Sequence, residues 1–172
     1  MYTGFAEDGT VLKNTVTYTP IGIIETEFED PVNMPIQPSG AEGVPGKVIL
    51  EKKYAEGLKD LEGFSHIMLV YHFHKCSNVR LRAQPFLENT EHGIFATRGP
   101  SRPNPVGLSV VRLESIEDNV LHITNADMLN GTPLLDIKPY VREFDNAEDS
   151  RIGWLEQRVR RARSHRSDGR FL

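Results

Sequence analysis

The sequence predicts a mainly β, antiparallel fold of the barrel or sandwich kind, and three observations predict it. Stretches with strand character outnumber helical ones. Turn signals recur roughly every ten residues, the spacing of short strands joined by tight connections. No strand, glycine loop and helix follow one another in the pattern that marks a nucleotide-binding parallel sheet. At 172 residues the chain fits one domain, long enough to bury most of a core. Its 38% apolar and 26% charged residues, with 14 glycines and 11 prolines, describe a globular, turn-rich protein. No apolar run approaches the roughly 20 residues of a spanning helix. The N-terminal MYTGFAEDGT is polar and acidic without a basic leader, so a cytoplasmic protein with no membrane partner is expected. One cysteine, Cys76, excludes an internal disulfide framework and a cysteine-based zinc cluster.

Residues 1–15 lack periodicity and predict a loose arm or an edge strand. Thr17–Thr26 is rich in β-branched residues and reads as the first secure strand, with Pro20 near its start. Residues 29–46 hold four prolines and three glycines and predict a long irregular loop of the sort that often carries function. Lys47–Glu51 predicts a short strand, and Lys53–Leu61 a brief helix ending at Gly63. Ser65–His74 is the strongest strand. Alternation places Ile67, Leu69, Tyr71 and Phe73 on its core face, with His66, Met68, Val70, His72 and His74 opposite. The second face turns polar toward its end, as in a strand that leaves a core for a cleft. His72, His74 and Cys76 could converge on a metal, but Lys75 would oppose a dication and no carboxylate pair lies near in sequence. No metal site is assigned.

Residues 77–91 predict a polar connection with Arg80 and Arg82, and then comes the most unusual stretch, HGIFATRGPSRPNPVGLS, from His92 to Ser109. It opens on a strand-like piece, Ile94–Ala96. Arg98, Arg102, Asn104 and three prolines then fall within eight residues. Proline fixes φ and restricts the residue before it, so the loop is stiff and loses little entropy when a ligand binds. Two guanidinium groups and a carboxamide on it are preset donors for carboxylate, carbonyl or phosphate oxygens. The plainer reading is a surface turn with solvated arginines. Val106–Leu113 is apolar on both faces and predicts a centrally buried strand. Glu117–Asn119 then turns the chain into Val120–Thr124, and Asp127–Pro133 predicts a second turn-rich loop around Asn130-Gly131. In Leu134–Tyr140, alternation sets Asp136, Lys138 and Tyr140 on one face against Leu135, Ile137 and Val141. Ile152, Leu155, Val159 and Ala162 recur at helical spacing and predict an amphipathic helix over residues 150–163.

The run GIFATRGPSRPNPVGLS resembles the signature of the TsaA/TrmO-like family, S-adenosylmethionine-dependent methyltransferases that act on the threonylcarbamoyl-modified adenosine beside the tRNA anticodon. A second run, LNGTPLLDIKPY, resembles that family's other motif, with Asn130 where an aspartate is usual. Met34-Pro35-Ile36-Gln37-Pro38 resembles its proline loop, with Ser39 in place of glycine; His74 matches its histidine, and Lys75 replaces a glutamine. The resemblance covers residues 16–144. It implies an antiparallel β-barrel-like domain; together with the readings above, one such domain with a short helix and a C-terminal helix is expected, preceded by the arm of residues 1–15 and followed by a basic tail, 145–172. It also implies a homodimer with the cofactor held by loops near the subunit interface.

Carried over residue by residue, the resemblance assigns S-adenosyl-L-methionine to Gln37, Pro38, Ser39, His74, Lys75, Arg98, Leu108, Asn130, Gly131, Thr132 and Pro133. Arg102 and Asn104 are expected to bind substrate. Asp136, Lys138 and Tyr140 form the expected catalytic set, Asp136 or Tyr140 to take the proton and Lys138 to help position the substrate. The substrate implied is tRNA, at its anticodon loop. Residues 151–172 carry seven arginines against two acids, so a chain of net charge −4 has a body at −9 and a tail at +5. Such a tail suits a phosphate contact, in place of the further domain that long family members carry, and equally a solvated helix. Two other readings stay open: a methyltransferase of the same fold acting on a small molecule or another nucleoside, and a non-catalytic module that binds an adenosyl ligand.

Overall fold

The computed structural model describes residues 15–171, so the arm expected at residues 1–15 lies almost wholly outside the described residues. Six strands close a barrel in the order β1 (Gly22–Glu25), β3 (Pro45–Leu50), β8 (Val120–Thr124), β7 (Val106–Glu117), β4 (His66–His72) and β9 (Thr132–Pro139), which returns to β1. Every pairing within it is antiparallel. Closure removes the unpaired edges of an open sheet. Inward residues of all six strands (Ile24, Val48, Ile67, Leu69, Val111, Leu121, Ile123 and Leu134 among them) form one buried core. Each such side chain contributes about 1.5–3 kcal/mol of transfer free energy. The predicted faces of β4 hold: Ile67, Leu69 and Tyr71 are buried and Phe73 packs against the same core.

Four expectations change. Residues 29–46 are not irregular throughout. β2 (Val32–Pro35) pairs with β10 (Arg166–Asp168) from the C-terminal tail, and a 3-10 turn follows at Pro38–Gly40. Strands this short read as loop locally, because only a partner over 130 residues away completes them. Ile94–Ala96 is a 3-10 turn, not a strand, because the proline-rich run beyond it turns the chain away from the sheet; β5 (Arg82–Ala83) and β6 (His92–Gly93) pair just before it. Val106–Leu113 is not buried on both faces. Gly107, Ser109 and Val111 point inward while Val106 and Leu108 are 40% and 51% exposed. In β9 a bulge opposite Val70/Tyr71 breaks the alternation, so Leu134 and Ile137 face the core and Leu135 does not.

The tail departs from one continuous helix. After a single α-helical turn, α1 (Arg142–Asp145), it is helical only as 3-10 turns at Gly153–Leu155 and Val159–Arg163, before β10. Ser167 fastens β10: its hydroxyl donates to the Pro31 carbonyl and accepts from the Met34 amide at 3.1 Å. The apolar stripe Ile152, Leu155, Val159, Ala162 nevertheless faces one way, toward a cleft at the end of the barrel.

Candidate active site

The cleft opens where β4 ends and β9 begins, and has a volume of about 920 Å³. Its existence follows from strand lengths. β7 pairs with β4 from Val106 to Arg112, but pairs with β8 only from Arg112 onward. Among the described residues, the first half of β7 therefore has a strand partner on one side only. Leu113 donates to Ser65 across the β4 side, and the two-residue repeat turns the backbone groups of Leu108 and Val110 the other way, beyond the end of β8. Gly107 is required here, since a Cβ on it would lie 2.2 Å from the Tyr71 ring. Three loops raise the walls: the Pro35–Ser39 turn, the Phe95–Arg102 loop and the tail from Ile152 to Phe171. The tail is locked on by Trp154, which stacks on His92 at 4.7 Å and donates to the Ala96 carbonyl at 2.8 Å, and by the 2.8 Å Arg158–Glu88 ion pair.

The cleft brings together Gln37, Pro38, Ser39, His74, Lys75, Arg98, Leu108 and Thr132, residues scattered over about a hundred positions. Arg98 Nη1 donates to Gln37 Oε1 at 3.2 Å, joining the two proline-rich loops. His74 Nδ1 lies 3.4 Å from Thr132 Oγ1. Burial, with the charges of Lys75 and His72 behind it, holds the His74 pKa below its ordinary value, so the ring is neutral near pH 7. Lys75 lines the rim while its ammonium donates to the Glu29 carbonyl at 2.6 Å.

Asn130, Gly131 and Pro133 do not line the cleft; they build the turn behind it. Asn130 donates to Glu29 Oε1 at 2.7 Å and accepts from the Thr26 amide, Gly131 supplies a φ of +72°, and Pro133 sits opposite Ile23 on β1. Arg102 lines the cleft, but its Nη1 donates to the carbonyls of Ile94, Thr97 and Gly99, so it holds the loop's shape. Asn104 is exposed outside the cleft, because the proline run carries it past the rim. Asp136, Lys138 and Tyr140 also lie outside the cleft. β9 carries them away from Thr132 along the barrel wall, where Asp136 and Lys138 pair at 2.8 Å and Tyr140 meets the His66 ring at 6.4 Å.

Sequence reasoning passed over the polar group on the floor. Ser109 donates to Asp127 Oδ1 at 2.7 Å and lies 3.1 Å from the Tyr71 hydroxyl. Serine has one proton to give, so Tyr71 donates to Ser109 and Ser109 to Asp127. Burial pushes the Asp127 carboxyl up to about 6, against the opposing pull of the Ser109 hydrogen bond and the Arg98 charge. Burial and the same carboxylate push the Tyr71 phenol well above its ordinary value. The available signal was Ser109, a hydroxyl at an inward position between Leu108 and Val110.

A site of this kind fits S-adenosylmethionine. Arg98 can face a carboxylate, the backbone of Leu108, turned away from β4, can meet a base edge, and Leu108, Phe73 and Met128 offer apolar surface for an adenine ring. Among the described residues no cluster of three or more His, Cys, Asp or Glu could hold a metal ion.

Residues 23–146 match the family described as the tRNA-methyltransferase O N-terminal domain. A probable S-adenosyl-L-methionine-binding protein of Pyrococcus abyssi is 52% identical over 162 residues, covering 94% of this chain and 88% of that protein. The human tRNA (adenine(37)-N6)-methyltransferase is 34% identical over 137 residues, 76% of this chain and 31% of the human one. The crystal structure of TrmO from Pseudomonas aeruginosa superposes with a TM-score of 0.70 at 38% identity, covering 82% of this chain and 63% of that one.

Proposed function

That this chain belongs to the family of the tRNA-methyltransferase O N-terminal domain is the premise from which we propose its function. It is an S-adenosylmethionine-dependent methyltransferase, and its substrate is tRNA. The target is the N6 nitrogen of threonylcarbamoyladenosine in the anticodon loop. The observation that carries the reading is the single cleft in which the Gln37 loop, the Arg98 loop, His74, Leu108 and Thr132 meet around a volume suited to an adenosyl ligand.

The cofactor supplies an activated methyl group when bound. The protein's own tasks are alignment, exclusion of water and handling of a proton. Arg98, held by Gln37, orients the carboxylate end, and the tail locked by Trp154 shuts solvent out on one side. The nitrogen is a weak nucleophile because its lone pair is delocalised into the carbamoyl group, so loss of its proton has to accompany transfer. An anticodon loop presents unstacked bases and a dense phosphate backbone. Arg151, Arg160, Arg161 and Arg163 on the tail are exposed beside the cleft and suit that backbone. We place the protein in the cytoplasm with its tRNA, as a homodimer; no described helix is long and apolar enough to cross a membrane.

Labelled S-adenosylmethionine, offered with tRNA that has or lacks the threonylcarbamoyl group, tests this directly. Label entering only the modified tRNA supports the reading, and label entering both, or neither, overturns it. The Pyrococcus abyssi relative, whose name states cofactor binding alone, favours a second reading as a non-catalytic adenosyl-binding module. Cofactor binding by calorimetry without transfer to any tRNA or small molecule would select it; transfer to small molecules alone would make it a small-molecule methyltransferase.

A further inference from the structure

We propose that Asp127, positioned by the Tyr71–Ser109 hydrogen-bond chain at the floor of the cleft, is the base that takes the proton from the substrate nitrogen. The inference rests on the tRNA methyltransferase reading above.

Geometry carries it. Asp127 lines the cleft and makes no ion pair among the described residues. Ser109 and its own backbone amide occupy part of its acceptor capacity, and an ionised carboxylate has about four lone-pair sites. Capacity therefore remains toward the cleft. The groups facing it are Tyr71 from β4, Ser109 from β7 and Arg98 from the signature loop, with His74 and Lys75 farther along the same wall. Tyr71 is held protonated and so is no base at neutral pH, and His74 Nδ1 is turned to Thr132 at 3.4 Å. Asp136 and Tyr140, the residues the sequence suggested for this task, lie outside this cleft.

The bond changes balance. The nitrogen–carbon bond forms as the carbon–sulfur bond breaks, the bonding pair stays with sulfur, and the N6 proton passes to the Asp127 carboxylate. The resulting acid returns its proton to solvent after release. Recessed placement suits the role, since a base that ionises near pH 6 is ready at neutral pH yet stronger than an ordinary carboxylate.

The test compares wild type with Asp127→Asn and Ser109→Ala on modified tRNA across pH 5–9, with cofactor affinity measured by calorimetry and the Asp127 carboxyl titrated by carbon-13 NMR without cofactor. Wild-type turnover should rise with pH through about 6 and level off. Asp127→Asn should keep cofactor affinity and lose roughly 100-fold or more in turnover, the range for a general base. Ser109→Ala removes a hydrogen bond that lowers the Asp127 pKa, so the rising limb and the NMR midpoint should both move to higher pH. Asp127→Asn turning over at the wild-type rate, or losing cofactor affinity in proportion to its activity, overturns the assignment. So does a Ser109→Ala profile that stays put while the NMR midpoint moves, a result readable even if Asp127→Asn does not fold. A wild-type protein that methylates no tRNA would instead sink the underlying reading.

Discussion

Two polar clusters lie on neighbouring parts of the barrel, one built from β4, β7 and the β8–β9 connection and the other on β9. At the cleft end, Tyr71, Ser109 and Asp127 form a recessed chain of hydrogen bonds. Farther along the outer face, Asp136 and Lys138 pair at 2.8 Å with side chains 47% and 59% exposed. The residue types are similar and the consequences differ. Water screens the outer pair, and the hydrogen bond that Lys138 donates to Asp136 merely raises the Lys138 pKa from a value already far above neutrality. On the floor of the cleft the same kind of carboxylate loses hydration, and its pKa moves toward the range where proton transfer is useful. How deep a carboxylate sits, rather than its position in the sequence motif, therefore sets its proton affinity.

Stability offers the largest test of this contrast. Asp127 has a native pKa of about 6 against an ordinary 3.8. Below the ordinary value it is neutral in both states and nothing is lost; between about 4 and 6 the native protein holds a proton that the unfolded chain releases. Stability therefore falls as pH rises through that window and the loss is complete above it, on the order of 2–3 kcal/mol. Asp127→Asn should be more stable than wild type at pH 8 by about that amount, with the advantage vanishing near pH 4. Urea midpoints at the two pH values measure it, and an advantage of equal size at both would show that burial is not the cause.

Arg98→Ala sharpens the comparison on the ligand side. Loss of a charged donor facing a carboxylate costs about 1.5–3 kcal/mol, so cofactor affinity should fall roughly 10- to 150-fold by calorimetry. Unchanged affinity would remove Arg98 from the cofactor site. The smallest effect belongs to the outer pair: Asp136→Asn should change stability by less than about 1 kcal/mol with no step between pH 4 and 6. A larger loss in thermal unfolding would mean that this face is covered in solution, as in a dimer.

The strands of the barrel were legible wherever one face meets the core and the other meets water, because burial on a pleated strand repeats every two residues. β4 shows this best, with Ile67, Leu69 and Tyr71 buried as alternation requires. The rule failed at β9, where a bulge shifts the count between Leu134 and Ile137. It also failed at β7, whose outward Val106 and Leu108 are apolar because they line a cleft. The arginine-rich tail reads locally as a helix, yet its fold is set by distant contacts: Trp154 on His92, Arg158 on Glu88 and β10 on β2.

Taken alone, the sequence determined the β class, the core face of β4, the family and nine of the residues that line the cleft. Those features are local, carried by two-residue alternation and by an unusual order of proline, arginine and glycine. The tertiary structure alone decided that Asn130 and Arg102 hold loops in shape, that Asp136, Lys138 and Tyr140 stand apart from this cleft, and that Asp127 belongs to it. A carboxylate's proton affinity depends on how much water surrounds it and which dipoles face it. Both are set by the closing of the barrel and the folding back of the tail, which bring together residues that the chain keeps far apart.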